Sequence, residues 1–338
     1  MNAGPEVSVI MPVRNEAASL DATLASVCSQ ATDAPMEVIV VDDHSTDASR
    51  SIIERWAAQD KGVRLVINPG RGGISQALNR GLEAARGRYL VRVDGHSIVP
   101  PDYVQALLDH IRSGACEGAG GHARAVGQGH FGRAVAAAHA SHFGIGDSKH
   151  HFTQRQQLID HIPFGAYVTE RARAIGGWDE GLRTNEDYDF DFRYQQAGGR
   201  LLFDPAIVVD WRVRETPARL AHQYYAYGRG KSRTLARHPS SLHLRWLVPP
   251  TLVVSLAAGV LLSWARAGRA FLAGVGGSYA LFLVVGGAIL GPRVGGLRLA
   301  PHAALALGTM HLSWGAGFLA SAGMAALGRI PGFRRLRA

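Results

Sequence analysis

Residues 7–47, VSVIMPVRNEAASLDATLASVCSQATDAPMEVIVVDDHSTD, contain the pattern that decides the fold. Two short β-branched runs, 7–11 and 37–41, flank a segment, 16–30, in which Leu20, Leu24 and Val27 recur at helical spacing. That is a β-α-β unit. The alternation continues with a helix over 47–59, a strand at 63–67, a helix over 74–85 and a strand at 89–93. Such regularity predicts an α/β domain whose central sheet is mostly parallel, with ligands gathered at the carboxyl ends of the strands. After Val93 the pattern loosens into glycine-rich stretches and a histidine-rich segment with His139, His142, His150, His151 and His161. No pair of these has the spacing of a metal motif, so they read as polar surface or acceptor-cleft residues.

Charge divides the chain unevenly. Residues 216–338 carry fourteen Lys or Arg and no Asp or Glu, whereas residues 1–215 carry 22 basic and 27 acidic side chains. The basic excess lies beside apolar runs, which points to anionic lipid rather than nucleic acid. Three stretches, 246–265, 270–290 and 299–327, lack any charged Lys, Arg, Asp or Glu. Each approaches or exceeds the ~20 residues that a helix needs to cross a bilayer. The expected organisation is a catalytic domain at 1–215, a basic amphipathic interface segment at 216–245, a hydrophobic region of two or three membrane helices at 246–327 and a basic tail at 328–338.

The N-terminus has no basic start and apolar core of a signal peptide, so the catalytic half is expected in the cytoplasm. Arg229, Lys231, Arg233, Arg237 and Arg245 precede the first apolar run, as a cytoplasmic flank requires. Three full crossings would put Arg329, Arg334, Arg335 and Arg337 outside, which leaves the third segment open to an interfacial or re-entrant role. Leu220, Tyr224 and Tyr227 form a stripe on the helix before the apolar run, suited to a membrane surface or to packing on a neighbour. Cys28 and Cys116 are too few for a disulfide framework or zinc cluster and read as core residues.

The strand ends carry the chemistry. The first leads into Pro12, Val13, Arg14, Asn15 and Glu16 rather than a Gly-x-Gly-x-x-Gly turn, which argues against a dinucleotide dehydrogenase. After the second, Asp42 has two compatible readings: acceptor for a nucleobase N–H, or part of an acidic, Ser45- or Thr46-capped helix start. The fourth delivers Asp94, Gly95 and His96. The acid and the imidazole share a face two residues apart, and the glycine lets a ligand approach the backbone. A divalent cation held there would neutralise a diphosphate leaving group, and the imidazole favours Mn2+ over Mg2+. Farther on, Glu186, Asp187, Asp189 and Asp191 crowd one helix start. Either this is an exposed acidic helix start, or Glu186 and Asp187 face the donor cleft, where crowding and burial raise one of the two carboxyls toward a useful general base and Asp187 takes the acceptor's proton.

The motifs PVRNE (12–16), VDDHSTD (41–47), NPGRGGISQALNRG (68–81), VDGHSIVPPDYV (93–104), PFGAYVTERARAIGGWDEGLRTNEDYDFDFR (163–193) and HQYYAYGRGKSRTLARH (222–238) together resemble family 2 inverting glycosyltransferases of GT-A fold, in the succinoglycan-biosynthesis ExoA-like branch. The resemblance implies that Pro12, Arg14, Glu16 and Asp42 hold the nucleotide, a uridine nucleotide, and that Gly73 and Asn79 line its pocket. Asp94 matches the first Asp of the family's DxD motif, and His96 stands at its metal-binding end where a second Asp is usual. Asp187 matches the catalytic base, with Glu186 and Trp178 shaping the acceptor side. Gln223, Tyr224, Arg229, Lys231 and Arg233 fall on the acceptor or lipid side.

The implied reaction moves a sugar, glucose by resemblance, from a UDP-sugar to a lipid-linked saccharide in polysaccharide biosynthesis at the inner or plasma membrane. The Gln-x-x-Arg-Trp signature of processive synthases is missing, since Gln223 is followed by Tyr-Tyr-Ala-Tyr, so one sugar per encounter is expected. Two alternatives stay open: a polyprenyl-phosphate glycosyltransferase, and a membrane-tethered nucleotide-sugar-binding scaffold without turnover.

Overall fold

The computed structural model describes residues 4–326, so the basic tail expected at 328–338 lies outside the described residues. The chain divides into two compact units, one of residues 1–124 and 149–212, the other of residues 125–148 and 213–338.

In the first unit, strands β1 (Val7–Val13), β2 (Met36–Asp42), β3 (Val63–Ile67) and β4 (Tyr89–Arg92) alternate with helices α1 (Leu20–Cys28), α2 (Ser49–Gln59) and α3 (Ile74–Ala84). The strands run parallel in the order β3-β2-β1-β4, as the alternation predicts. Past Val93 the topology changes. The chain continues through β5 (Ser97–Ile98), α4 (Tyr103–Arg112) and β6 (Gly118–Val126), then α5 (Gly129–His139) and α6 (His142–Ile145), which belong to the second unit. It returns through α7 (Lys149–Phe152), β7 (Gln157–Leu158), β8 (Gly165–Val168), α8 (Thr169–Ala174), α9 (Glu186–Gln196) and β9 (Leu201–Arg212). Here β8 pairs antiparallel with β4 and β6, and β9 pairs antiparallel with β5 and β7. Glycine-rich β6 makes the close pairing possible: a Cβ on Gly118 would lie 3.2 Å from the Tyr167 ring.

The two faces of the sheet feed separate cores, because side chains alternate along a strand. Val7, Val9, Met11 and Val13 enter one cluster with α1 and α4, while Ile10 enters the other with Ile39, Val41 and Leu78. Leu20, Leu24, Ile39, Ile53 and Leu90 are fully buried, each contributing about 1.5–3 kcal/mol of apolar burial. A buried acid staples the amino ends of the strands. Glu37 accepts from Ser8 Oγ at 2.7 Å and from Arg64 and Arg86, each at 2.7 Å. Burial opposes its charge, but the Arg86, Ser8 and Arg64 hydrogen bonds prevail and hold its carboxyl down at about 2. Cys28 and Cys116 are free thiols, each pushed up to about 11 by burial.

The second unit is helical. Besides α5 and α6 it contains α10 (Pro217–Arg237), α11 (Val248–Leu261), α12 (Arg266–Val294) and α13 (Ala300–Ala326). Thr216 caps α10, accepting from the Arg219 N–H, with Pro217 at the first helical position where no N–H is needed. Three helical spans, residues 244–261, 266–294 and 297–324, are long and apolar enough to cross a membrane. Helix α10 packs along α13 through glycines: a Cβ on Gly228 would strike the Trp314 carbonyl, and one on Gly317 the Tyr225 carbonyl. Segment 125–148, counted above with the catalytic domain, clusters with these helices, where α5 packs against α12 and α13.

Candidate active site

Register puts Val13 beside Asp42, so the loops after β1 and β2 leave the sheet at the same edge. Within β1, Pro12 sits opposite Val41. Both loops turn through left-handed residues, Asn15 at φ 57° and His44 at φ 60°. Asparagine tolerates that region because its short side chain bonds locally. In this chain the partners come from the loop after β2: the Asn15 carboxamide oxygen accepts from the Thr46 N–H at 2.7 Å, and the Asn15 N–H donates to Ser45 Oγ at 3.1 Å.

The two adjacent aspartates differ sharply. Asp42 is fully buried, its carboxylate taken by Arg50, with Nε at 2.8 Å and Nη2 at 2.6 Å, and by the Ser45 N–H at 3.1 Å. Burial opposes its ionisation, yet the Ser45 and Arg50 hydrogen bonds hold its carboxyl below the ordinary value. Asp43 turns to the Gly72–Gly73 corner, accepting from the Gly73 N–H at 2.8 Å and from Asn68 at 2.7 Å. Arg14, more than half exposed, brings Nη1 to 3.6 Å from Asp43. Gly73, at φ 127°, occupies backbone space that other residues reach only with strain. The structure therefore gathers Arg14, Asp43 and Gly73, while Asp42 braces the loop from below. In the sequence the two neighbouring carboxylates look alike, and nothing there separates Asp43 from Asp42. Asn79 instead joins α3 to the loop before α9, bonding the Trp178 N–H and carbonyl, each at 2.8 Å.

At the end of β4, Gly95 offers its carbonyl to Ser19 Oγ at 3.2 Å and to Thr23 Oγ1 at 3.1 Å. A Cβ there would come within 3.1 Å of Val13, so glycine permits the close approach. His96 Nδ1 lies 3.0 Å from Glu16 Oε1, which ties the loop after β1 to the end of β4. Arg92, two residues before Asp94 on the same strand face, donates Nε to Asp94 at 2.9 Å. Its Nη2 reaches both Asp94 and Glu186 at 3.3 Å. Burial disfavours the guanidinium charge, but the Asp94 and Glu186 carboxylates outweigh it and raise the Arg92 pKa. That i, i+2 spacing was visible in the sequence and is the signal that could have singled out Arg92.

Helix α9 begins after Asn185, itself left-handed at φ 59°. Its crowded acids sort by partner. Glu186 is buried against Arg92, Asp189 is buried against Arg193 at 2.8 Å, and Asp191 is fully buried. Asp191 accepts from His161 Nδ1 at 2.7 Å, the Ile162 N–H at 2.9 Å and the Tyr167 hydroxyl at 2.8 Å. Asp187 alone of these four opens outward, its side chain 42% exposed, with His161 Nε2 at 3.8 Å from Oδ2. Burial, reinforced by the neighbouring Asp187 charge, pushes the Glu186 carboxyl up to about 7 against the pull of Arg92. Trp178 is buried in the core and stacks on Phe190 with centroids 4.3 Å apart, so its ring supports α9 from inside the fold.

In the second unit, Tyr224 is buried and its hydroxyl meets His139 Nε2 at 3.0 Å, while Gln223 donates to the Tyr227 hydroxyl at 3.0 Å. Burial lowers the His139 pKa to about 4. Lys231 stacks its ammonium over Trp246 at 4.2 Å. Arg229 and Arg233 follow on the same α10 face, one helical turn apart.

A model of the family described as glycosyl transferase family 2 matches residues 8–172. Over 312 residues, 92% of this chain and 93% of the relative, the sequence is 31% identical to the succinoglycan biosynthesis protein ExoA of Rhizobium meliloti strain 1021. The chain belongs to glycosyltransferase family 2. A shorter match, 33% identity over 106 residues, covers 31% of this glycosyltransferase and 35% of the glycosyltransferase GlyG of Streptococcus pneumoniae serotype 4. Among solved structures, the mannosyltransferase PcManGT from Pyrobaculum calidifontis, in complex with GDP-Man and Mn2+, superposes with a TM-score of 0.59. That match is 20% identical and covers 90% of this chain and 87% of the other. The family 2 domain has the GT-A fold, followed by the C-terminal helices.

Proposed function

We propose that this glycosyltransferase moves a sugar, glucose first among candidates, from a UDP-sugar to a lipid-linked saccharide with inversion at the anomeric carbon, one sugar per encounter. The observation that carries the reading is the Arg92 bridge, which joins the Asp94 end of β4 to the Glu186 start of α9 and leaves Asp187 beside it, open to solvent. In this reading Arg14, Asp43 and Gly73 receive the nucleotide, with Pro12 and Asp42 supporting them through β1 and the Arg50 pair. Asp187 accepts the proton of the attacking hydroxyl, and the Glu186 carboxyl beside it sets the local charge. Holding donor and acceptor in line accounts for much of the rate.

A divalent cation fits the donor set. Among the described residues no group of three or more His, Cys, Asp or Glu could form a resident metal cage. Cations carried by a diphosphate need only one or two protein ligands, the rest being phosphate oxygen and water. Asp94, two residues before the His96 that pairs with Glu16, would hold such an ion, which would neutralise the departing diphosphate. The solved relative's GDP-Man and Mn2+ support a nucleotide-sugar donor and a divalent ion for this chain. The succinoglycan relative supports polysaccharide assembly as the setting.

The three apolar helices would anchor the enzyme as a multi-pass protein of the inner or plasma membrane, near a lipid-linked acceptor. Arg229, Lys231, Arg233, Arg237 and Arg245, before the first apolar span, support a cytoplasmic catalytic unit. The test is turnover of purified full-length enzyme with Mn2+, a panel of UDP- and GDP-sugars, and either bare polyprenyl phosphate or preloaded lipid saccharide. Release of UDP only with the preloaded acceptor, and a product of inverted anomeric configuration by NMR, is the expected result. Loading of bare polyprenyl phosphate, or retention of configuration, contradicts the reading.

A further inference from the structure

We infer that His161 is a positioning residue for Asp187, held by Asp191 so that its Nε2 faces the Asp187 carboxylate. The inference rests on the reading of Asp187 as the base. Three donors converge on the two Asp191 oxygens, the His161 Nδ1–H among them at 2.7 Å, so the ring is pinned from one side. Its other nitrogen then points at Asp187 Oδ2, 3.8 Å away. An imidazole whose Nδ1–H is held by a carboxylate has its orientation fixed and its basicity raised. His161 is itself buried, and its ring packs at 5.6 Å from the Tyr188 ring.

Among the described residues, these charged and titratable groups face it. From α9 come Asp187 and Asp191, both acidic, with Tyr188 against the ring. From β8 comes Tyr167, whose hydroxyl donates to Asp191 and whose own ionisation is suppressed by burial. The guanidinium of Arg92, from β4, is engaged by Asp94 and Glu186. Burial disfavours the ring's charge and raises the Asp191 carboxyl, and against it the acids at both ring nitrogens favour imidazolium; a cation within about 4–6 Å lowers a carboxyl pKa by roughly 1–3 units. Protonated His161 thus keeps Asp187 ionised and aimed outward, ready to take the hydroxyl proton from the acceptor.

The experiment compares full-length wild type with His161→Gln, recording kcat against pH, donor binding and thermal melting. The expected result is unchanged donor affinity with the acidic limb of the kcat profile moved upward by about one pH unit. A limb that stays in place in folded, donor-binding His161→Gln overturns the role. Should that variant not fold, NMR titration of the His161 ring in wild type and Asp187→Asn decides: its midpoint falls when the Asp187 charge is removed, and an unchanged midpoint overturns the coupling. Retained turnover in Asp187→Asn brings down the base assignment itself. Loss of turnover there, with an unmoved limb in His161→Gln, brings down only the role of His161.

Discussion

Glu186 lies 3.3 Å from the Arg92 guanidinium, and that contact joins the opening of an acidic helix to the end of the fourth strand. Both side chains are more than nine-tenths buried, so neither charge has water as an alternative partner. Removing one member of a buried charge pair costs about 3–5 kcal/mol because the other is left uncompensated. Arg92→Met should therefore lower the melting temperature markedly and abolish turnover. Glu186→Gln, which keeps an acceptor for Arg92, should cost much less stability. Equal melting temperatures for Arg92→Met and wild type would show that the bridge carries no such weight.

Glu186 also makes stability depend on pH. Burial raises its carboxyl in the folded state to about 7 from an ordinary value of 4.5. A raised pKa stabilises the folded chain below the unfolded value, and this contribution fades as pH rises through about 7. Across that window the effect amounts to at most about 3 kcal/mol, from roughly 1.4 kcal/mol per unit. Relative to wild type, Glu186→Gln should gain stability between pH 5 and pH 8. Parallel melting curves for the two proteins over that range would remove the claim.

The two neighbouring aspartates should separate in their effects. Asp43→Ala removes the carboxylate beside Arg14 and the Gly73 N–H, and is expected to weaken donor binding at least about tenfold, the scale of one charged hydrogen bond. Asp42→Ala strands Arg50 and the Ser45 N–H within the loop, and should lower the melting temperature more than the donor affinity. Calorimetric titration with UDP beside a melting scan distinguishes them. The opposite ranking would return the nucleotide contact to Asp42.

The helical unit takes in residues 125–148, so a chain ended at residue 215 would leave α5 without α12 and α13. Ala134, Val135 and Ala138 would be uncovered, and His139 would lose Tyr224. Such a truncation should aggregate, whereas the full chain should stay in membranes through an alkaline carbonate wash. A monodisperse, soluble 1–215 fragment on size exclusion would contradict this.

The parallel half of the sheet was legible because β-branched runs and helical spacing alternate without interruption as far as Val93. Beyond it, pairing is antiparallel and depends on glycine-permitted approaches between distant strands, which no local period records. Asp94, His96, Glu186 and Asp187 stood out because an acid and an imidazole lie two apart at a strand end and four acids crowd one helix start. Telling Asp42 from Asp43 needed the direction of the Arg50 side chain, eight residues on in the first turn of α2. The tie between His161 and Asp191 spans thirty residues of sequence and has no pattern of its own. The Leu220, Tyr224 and Tyr227 stripe suited either a membrane surface or a neighbour, and Tyr224 is buried against His139.

The central claim is that Asp187 removes the acceptor's proton. The most direct measurement is single-turnover transfer by Asp187→Asn beside UDP-sugar binding by the same protein. Donor affinity within about threefold of wild type, with transfer reduced by at least about a hundredfold, is the predicted result, in line with the 10²–10⁴ typical of general-base catalysis. Transfer within tenfold of wild type by a folded, donor-binding Asp187→Asn would contradict it.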